Sequence, residues 1–258
     1  SNAWTINGEN KNDFIFFQNI FSVNQVDFDF EYLHIDFGST VVWPKRFDLG
    51  YAFPLLDNVI YQDSVGDCDN LALFADFKFR KAGLGSVWIS GFLDEMPSWN
   101  PIEVVQEMFV LDRYMFALQA GTKVVLPFLP FGTLSFRYTK IEPYCYTHQA
   151  VNYVPWYYGR YINESYMNNG ESLGYYLPPN SDEFFVRLET RPSEYSSAAL
   201  QYQLVRHGAD YGSRQVDGSS LYSELSLARE SMKKYFLKDG AYEWSNIFTL
   251  SGSYDFRQ

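Results

Sequence analysis

Apolar and polar residues alternate along much of this chain with a period of two. That is the spacing of a strand with one greasy face and one wet face. In Val26–Tyr32, residues Val26, Phe28, Phe30 and Tyr32 fall on one side, and Asp27, Asp29 and Glu31 on the other. The same zigzag marks Leu71–Arg80, Ser86–Asp94, Thr133–Thr139, Phe184–Glu189, Ala198–Leu204 and Phe248–Phe256. Two less regular stretches, Asp13–Phe21 and Tyr114–Val125, bring the expected strands to nine. A parallel strand covered on both faces would read as an unbroken apolar run, and these do not.

The connections add a second pattern. Ser22–Gln25, Lys81–Gly85, Leu126–Phe131 and Arg191–Tyr195 are short and carry Gly, Pro, Asn or Ser turn chemistry. Between them fall four long connections, Phe37–Asn70, Met96–Arg113, Pro143–Asp182 and Gly208–Glu243. Short and long alternate, so an up-and-down sheet would carry all its tight turns at one end and all its long loops at the other. Transmembrane barrels sort their loops this way. Ten residues at roughly 3.3 Å each, tilted by about 40°, climb about 25 Å, the height of a lipid-facing band. The expected fold is therefore all-β, an antiparallel up-and-down β-barrel of the transmembrane type. Its long loops would carry one or two short helices. The competing reading is a soluble antiparallel sheet packed on one face.

Two segments predict those helices. Asn100-Pro101-Ile102-Glu103 sets a cap residue before a proline and places Glu at the third helical position. From Ser220, residues Leu221, Leu225, Ala228, Met232 and Phe236 share one face, with Lys233, Lys234 and Lys238 near the end. Nine strands leave the first and last running the same way, so they cannot close a ring antiparallel. The expectation is that strands upstream have been lost, with Thr40–Phe53 as a weaker candidate for a further strand. Ser1-Asn2-Ala3 reads as the scar of a cleaved tag, and residues 4–258 as one barrel domain, incomplete at its N-terminus.

Composition narrows the partners. The 258 residues are 19% aromatic and 20% charged, too rich in apolar surface for a disordered chain. A net charge of −11 argues against a nucleic-acid partner, which needs a basic footprint. No stretch reaches the length of an apolar transmembrane helix. The cysteines, Cys68 and Cys145, form no C-x-x-C pair; both fall at the long-loop end, where an oxidising compartment would permit a disulfide.

Several stretches resemble outer-membrane barrels of the capsule-assembly (Wzi-like) type, in the divergent forms found in Bacteroidetes and spirochaetes. They are Gly66-Asp67-Cys68-Asp69-Asn70, Phe92-Leu93-Asp94-Glu95, and Tyr138-Thr139-Lys140-Ile141-Glu142-Pro143-Tyr144. Glu171-Ser172-Leu173-Gly174, Pro179-Asn180-Ser181-Asp182-Glu183 and Arg206-His207-Gly208 complete the set. The resemblance spans about residues 50–210 and consists of turn and strand-end signatures. It implies a porin-like membrane barrel in a Gram-negative outer membrane, which attaches or passes surface polysaccharide and performs no chemistry.

Four constellations are candidate sites. The loop Pro143–Asp182 holds Tyr144, Tyr146, Tyr153, Trp156, Tyr157, Tyr158, Tyr161, Tyr166, Tyr175 and Tyr176. Such rings can stack on sugar C–H faces while their hydroxyls hydrogen-bond, which makes this loop a ligand platform. The competing account is a self-packed loop or an interfacial belt. The wet faces carry Asp27, Asp29, Glu31, Asp76, Lys78, Arg80, Arg137, Arg187 and Glu189, either lining a solute path or pairing to fill the lumen. Asp63, Asp67, Asp69 and Asn70 offer hard oxygens to calcium, but lack the spacing of a calcium loop. Cys68 and Cys145 are the candidate disulfide.

Enzyme motifs are missing: there is no G-x-S-x-G, H-E-x-x-H, P-loop or complete G-x-G-x-x-G. His34, His148 and His207 are scattered, and acid pairs such as Asp182/Glu183 arise by chance among 31 acids. The expected protein is non-enzymatic, without cofactor or dedicated metal, and partnered by membrane lipid and a surface glycan. The alternative is a periplasmic or secreted β-domain that binds saccharide through residues 143–182.

Overall fold

The computed structural model describes residues 5–6, 9–10, 19–43, 48–52, 58–65, 69–98, 100–111, 113–148, 164–168, 171–208, 218, 236–237 and 242–256. One antiparallel sheet dominates. Its strands are β1 (Ile20–Asp29), β2 (Leu33–Trp43), β3 (Asn70–Lys81), β4 (Gly85–Glu95), β5 (Met115–Leu126), β6 (Gly132–Ile141), β7 (Ser181–Ser193), β8 (Ser196–Gly208) and β9 (Tyr242–Tyr254). Each pairs with its neighbours in sequence, so the order across the sheet is the order along the chain. The sheet is not closed into a barrel: β1 and β9 are its two edges. Short ladders at Thr5–Ile6 with Glu9–Asn10, and at Met167–Asn168 with Glu171–Ser172, stand apart from it.

Seven expected strands are present, most of them longer at both ends than their zigzag. The first hairpin is different. Ser22–Gln25, expected as a tight turn, lies inside β1, and the chain reverses at 30–32. Residues Leu33–Trp43 then form a strand where a long connection was expected. The cause is legible: after Tyr32 the alternation restarts one residue out of phase, at Leu33, Ile35 and Phe37, and the Phe30 amide donates to Leu33 O to close the turn. Of the expected strand Asp13–Phe21, only Asn19–Phe21 fall within the described residues, and Ile20 and Phe21 open β1. Loop sorting survives the correction. The connections 30–32, 82–84, 127–131 and 194–195 are short, while 44–69, 96–114, 142–180 and 209–241 are long.

Two glycines make the sheet possible. Gly85 has φ 135°, and a Cβ there would sit 1.9 Å from Lys123 O. On β5, a Cβ at Gly121 would collide with the Trp88 ring at 2.2 Å, so the indole needs that bare position.

Helices α1 (Leu49–Ala52), α2 (Asn58–Val65) and α3 (Pro101–Glu107) sit in the long loops. The expected cap of α3 forms: Asn100 Oδ1 accepts from Ile102 N at 3.1 Å, and Asn100 Nδ2 donates to Glu103 Oε1 at 3.0 Å. The helix expected from Ser220 lies outside the described residues; Phe236–Leu237 form a turn.

Among the described residues the buried apolar side chains gather at the long-loop end. Val42, Ala117 and Ile141 pack there with Cys145, Tyr146, Tyr166 and Leu177. Val41, Trp43 and Tyr51 form a second cluster beneath α1 and α2. Cys145 is buried in the first cluster, and Cys68 lies outside the described residues.

Candidate functional site

Strand register sorts the side chains into two faces, since residues directly opposite each other point the same way. One face is apolar. Phe28, Ile35, Phe77, Ile89, Ala120, Tyr138, Phe184 and Leu204 form an unbroken row from β1 to β8. A parallel row runs Leu33, Phe79, Val87, Thr122, Phe136, Val186, Tyr202 and Phe248. Side chains on this face are largely uncovered: Val87 is 57% exposed and Phe248 75%, and in the next row, where Leu200 pairs with Leu250, Leu250 is 82% exposed.

The opposite face is polar. Asp27, Asp36, Asp76, Ser90, Gln119, Thr139 and Glu183 cross from β1 to β7 in one row. The next rows carry Asp29, His34, Lys78, Trp88 and Arg137, then Arg80, Ser86, Lys123, Ser135 and Arg187. Eight of the nine charged residues expected on the wet side therefore share this face. Glu31 does not; it sits in the turn beyond β1.

The charges on this face are largely paired. Arg80 Nη2 donates to Asp29 Oδ1 at 2.7 Å, and Arg187 Nη2 lies 2.7 Å from Glu189 Oε1. Lys123 Nζ reaches the other Glu189 oxygen at 3.6 Å. This last group lines a polar cavity of about 710 Å³ at the short-turn end, with Thr133, Ser251 and Ser253 in its wall.

The tightest junction is Glu183, fully buried. It accepts from Arg137 Nη2 at 2.6 Å, Gln203 Nε2 at 2.7 Å, Tyr175 at 3.2 Å and the Tyr176 hydroxyl. A buried carboxylate is tolerable only with such a set of donors. Two of the tyrosines expected to bind ligand thus fasten the long loop onto the polar face. Asp182, next to Glu183 in sequence, points to the other side and takes Tyr138 at 2.9 Å and Arg206 Nε at 2.8 Å. The two acids face opposite ways and cannot converge on one bond.

Tyr144 and Tyr146 are buried, so neither ring offers a surface for stacking; each acts as core. Both hold positive φ, 67° and 73°, a strained conformation for tyrosine that persists only where surroundings impose it. The imposing contacts are Tyr144 N to Gly218 O at 2.9 Å and Tyr146 N to Asp94 Oδ2 at 2.6 Å. Tyr146 and Tyr166 stack at 5.9 Å, and Phe92 sits against both. Burial pushes the Tyr166 hydroxyl up to about 12 and holds Tyr146 well above the ordinary phenol value. Tyr175 is half-buried and Tyr176 exposed, while Tyr153, Trp156, Tyr157, Tyr158 and Tyr161 lie outside the described residues.

Of the calcium candidates, the side chains of Asp69 and Asn70 are described, and Asn70 Nδ2 donates to Glu164 O at 2.9 Å. Asp69 is buried and accepts from the Tyr51 hydroxyl at 2.6 Å. Asp67 and the side chain of Asp63 lie outside the described residues. A different trio comes together on the polar face, where ligand atoms of Asp27, His34 and Asp36 fall within 4.8 Å of one another. His34 Nε2 is 3.1 Å from Asp36, and Nδ1 is 3.6 Å from Asp29. The unread alternation of Leu33–Phe37 was the signal for this trio. Searches against protein-family models, curated proteins and solved structures found no match to this chain.

Proposed function

We propose that this chain forms the wall of an outer-membrane β-barrel whose outer mouth is stoppered by its own long loops. It holds or passes a surface polysaccharide and carries out no chemistry. One observation carries the reading: the exposed apolar rows that run across the sheet from β1 to β9, backed by a face of paired charges. Water on the apolar side would leave a patch far beyond the few hundred Å² that water-facing proteins expose. Hydrocarbon outside and water inside satisfy both faces.

Two further features support it. Exposed aromatics cluster near the short turns, among them Tyr32, Phe79, Phe128, Phe131, Tyr254 and Phe256, where a membrane protein places its interfacial girdle. The short-turn end also carries the open polar cavity, while the described residues of the loop end pack into a core. A packed loop end favours attachment over free diffusion of solute. Ring closure belongs to the same proposal. Backbone groups along β1 and β9 cannot stay unpaired in lipid, so closure requires a parallel seam or a further strand running against both.

The test is reconstitution. The protein is expected to need detergent to stay monodisperse, and to resist protease along β1–β9 once inserted into phospholipid vesicles. A monodisperse, fully protease-accessible protein in detergent-free buffer would refute the membrane wall. Saccharide held by such a protein would then favour the secreted β-domain.

A further inference from the structure

The apolar face is not uniformly flat. Between α3 and strands β3–β5 lies a groove of about 340 Å³, floored by Ala75 and Gly91, which sit opposite each other on adjacent strands. Leu93, Phe116 and Leu118 wall it, and Val104 and Met108 roof it from the helix. Among the described residues no charged side chain lines it. One step down the same strands and the same face lie Phe77 and Ile89, so the groove opens into the exposed apolar rows.

The helix fits the same surroundings. Val104 and Met108 face the sheet, while Ile102, Val105 and Phe109 are 67%, 75% and 54% exposed. Glu103 and Gln106 occupy the remaining arc. A helix with a broad apolar arc and a polar back is built to lie in a membrane interface, its back to water.

We propose that this groove takes one acyl chain of a membrane lipid, held between α3 and the bare floor of Ala75 and Gly91. The inference rests on the membrane reading and goes beyond it, because it assigns a discrete lipid site rather than general solvation. Hydrocarbon is the occupant because the groove is continuous with the lipid-facing rows and its described lining offers no charged partner to a glycan or an ion.

The test uses vesicles containing a phosphatidylcholine with a photoreactive diazirine in its acyl chain, followed by peptide mapping of the adducts. Adducts are expected on β8 and β9 around Leu200 and Leu250, and also on the groove residues Met96, Val104 and Met108. Gly91→Leu fills the floor, and its Cβ meets nothing nearer than a Leu118 methyl at 3.8 Å. It is expected to abolish groove adducts while leaving those on β8 and β9 unchanged. Val104→Glu, which puts a charge in the roof of the groove without touching the strands that form its floor, should do the same. If β8 and β9 are labelled and the groove is not, or if both variants keep groove adducts, the inference is overturned and the membrane wall stands. Absence of adducts on β8 and β9 removes the membrane wall, and the groove assignment falls with it.

Discussion

The two ends of the sheet obey different rules. Along β3 the side chains pass from buried at Asn70 and Ala72 to exposed from Phe77 onward. β7 does the same, from Ser181, Asp182 and Glu183 to an open end at Arg191–Ser193. At the loop end both faces are covered and the protein supplies its own core. Toward the turns neither face is covered, and each has a different chemistry. A packed sandwich would bury one face along its whole length. Here the protein finishes only one end, and on the membrane reading the surroundings finish the other.

The largest expected effect is at the closed end. Glu183→Ala leaves the Arg137 guanidinium without its carboxylate and frees Tyr175 and Tyr176, at a cost of about 3–5 kcal/mol. Asp27→Ala, on the same face but exposed, should change stability by less than about 0.5 kcal/mol. Urea unfolding in detergent reads both, and equal losses would erase the difference between the ends. At the open end, Leu250→Arg should cost about 2–4 kcal/mol in a bilayer, if β9 lies near its midplane. In lipid-free buffer it should cost almost nothing, and matching small effects in both media would put β9 in water.

The third effect concerns the tyrosines of the closed end. Folding raises the pKa of Tyr166, and of Tyr146, above the value each has in the unfolded chain. Their contribution is therefore complete below pH 10 and is lost as pH rises beyond it, that of Tyr166, about 2–3 kcal/mol, as pH approaches about 12. The melting midpoint should fall across that window. Tyr166→Phe, which cannot ionise, should flatten the fall; an unchanged slope would mean that the ring is solvated.

Strands and faces were legible in the sequence because a period of two needs no tertiary information. Eight of the nine wet-side charges could be assigned from alternation alone. What failed was punctuation. Asn24-Gln25 carries turn-forming chemistry but lies in mid-strand, while Phe30-Glu31-Tyr32, with no glycine or proline, makes the turn. Pairing with β2 overrides local preference there. That Tyr144 and Tyr146 are core was hidden for another reason: a ring that stacks on sugar and a ring that packs a loop have the same composition. Only the partners of Tyr146, namely Asp94 and Phe92 on β4, distinguish them, and those lie far away in sequence.

The strict neighbour-to-neighbour order of the sheet has a consequence for its ancestry. Without crossovers, any hairpin can be duplicated or excised and the cut ends rejoined, with no other strand changing partner. Each such event widens or narrows the sheet by two strands, about 10 Å, and keeps every remaining loop on its own side. Girth in this architecture is thus adjustable by simple gene rearrangement, in even steps.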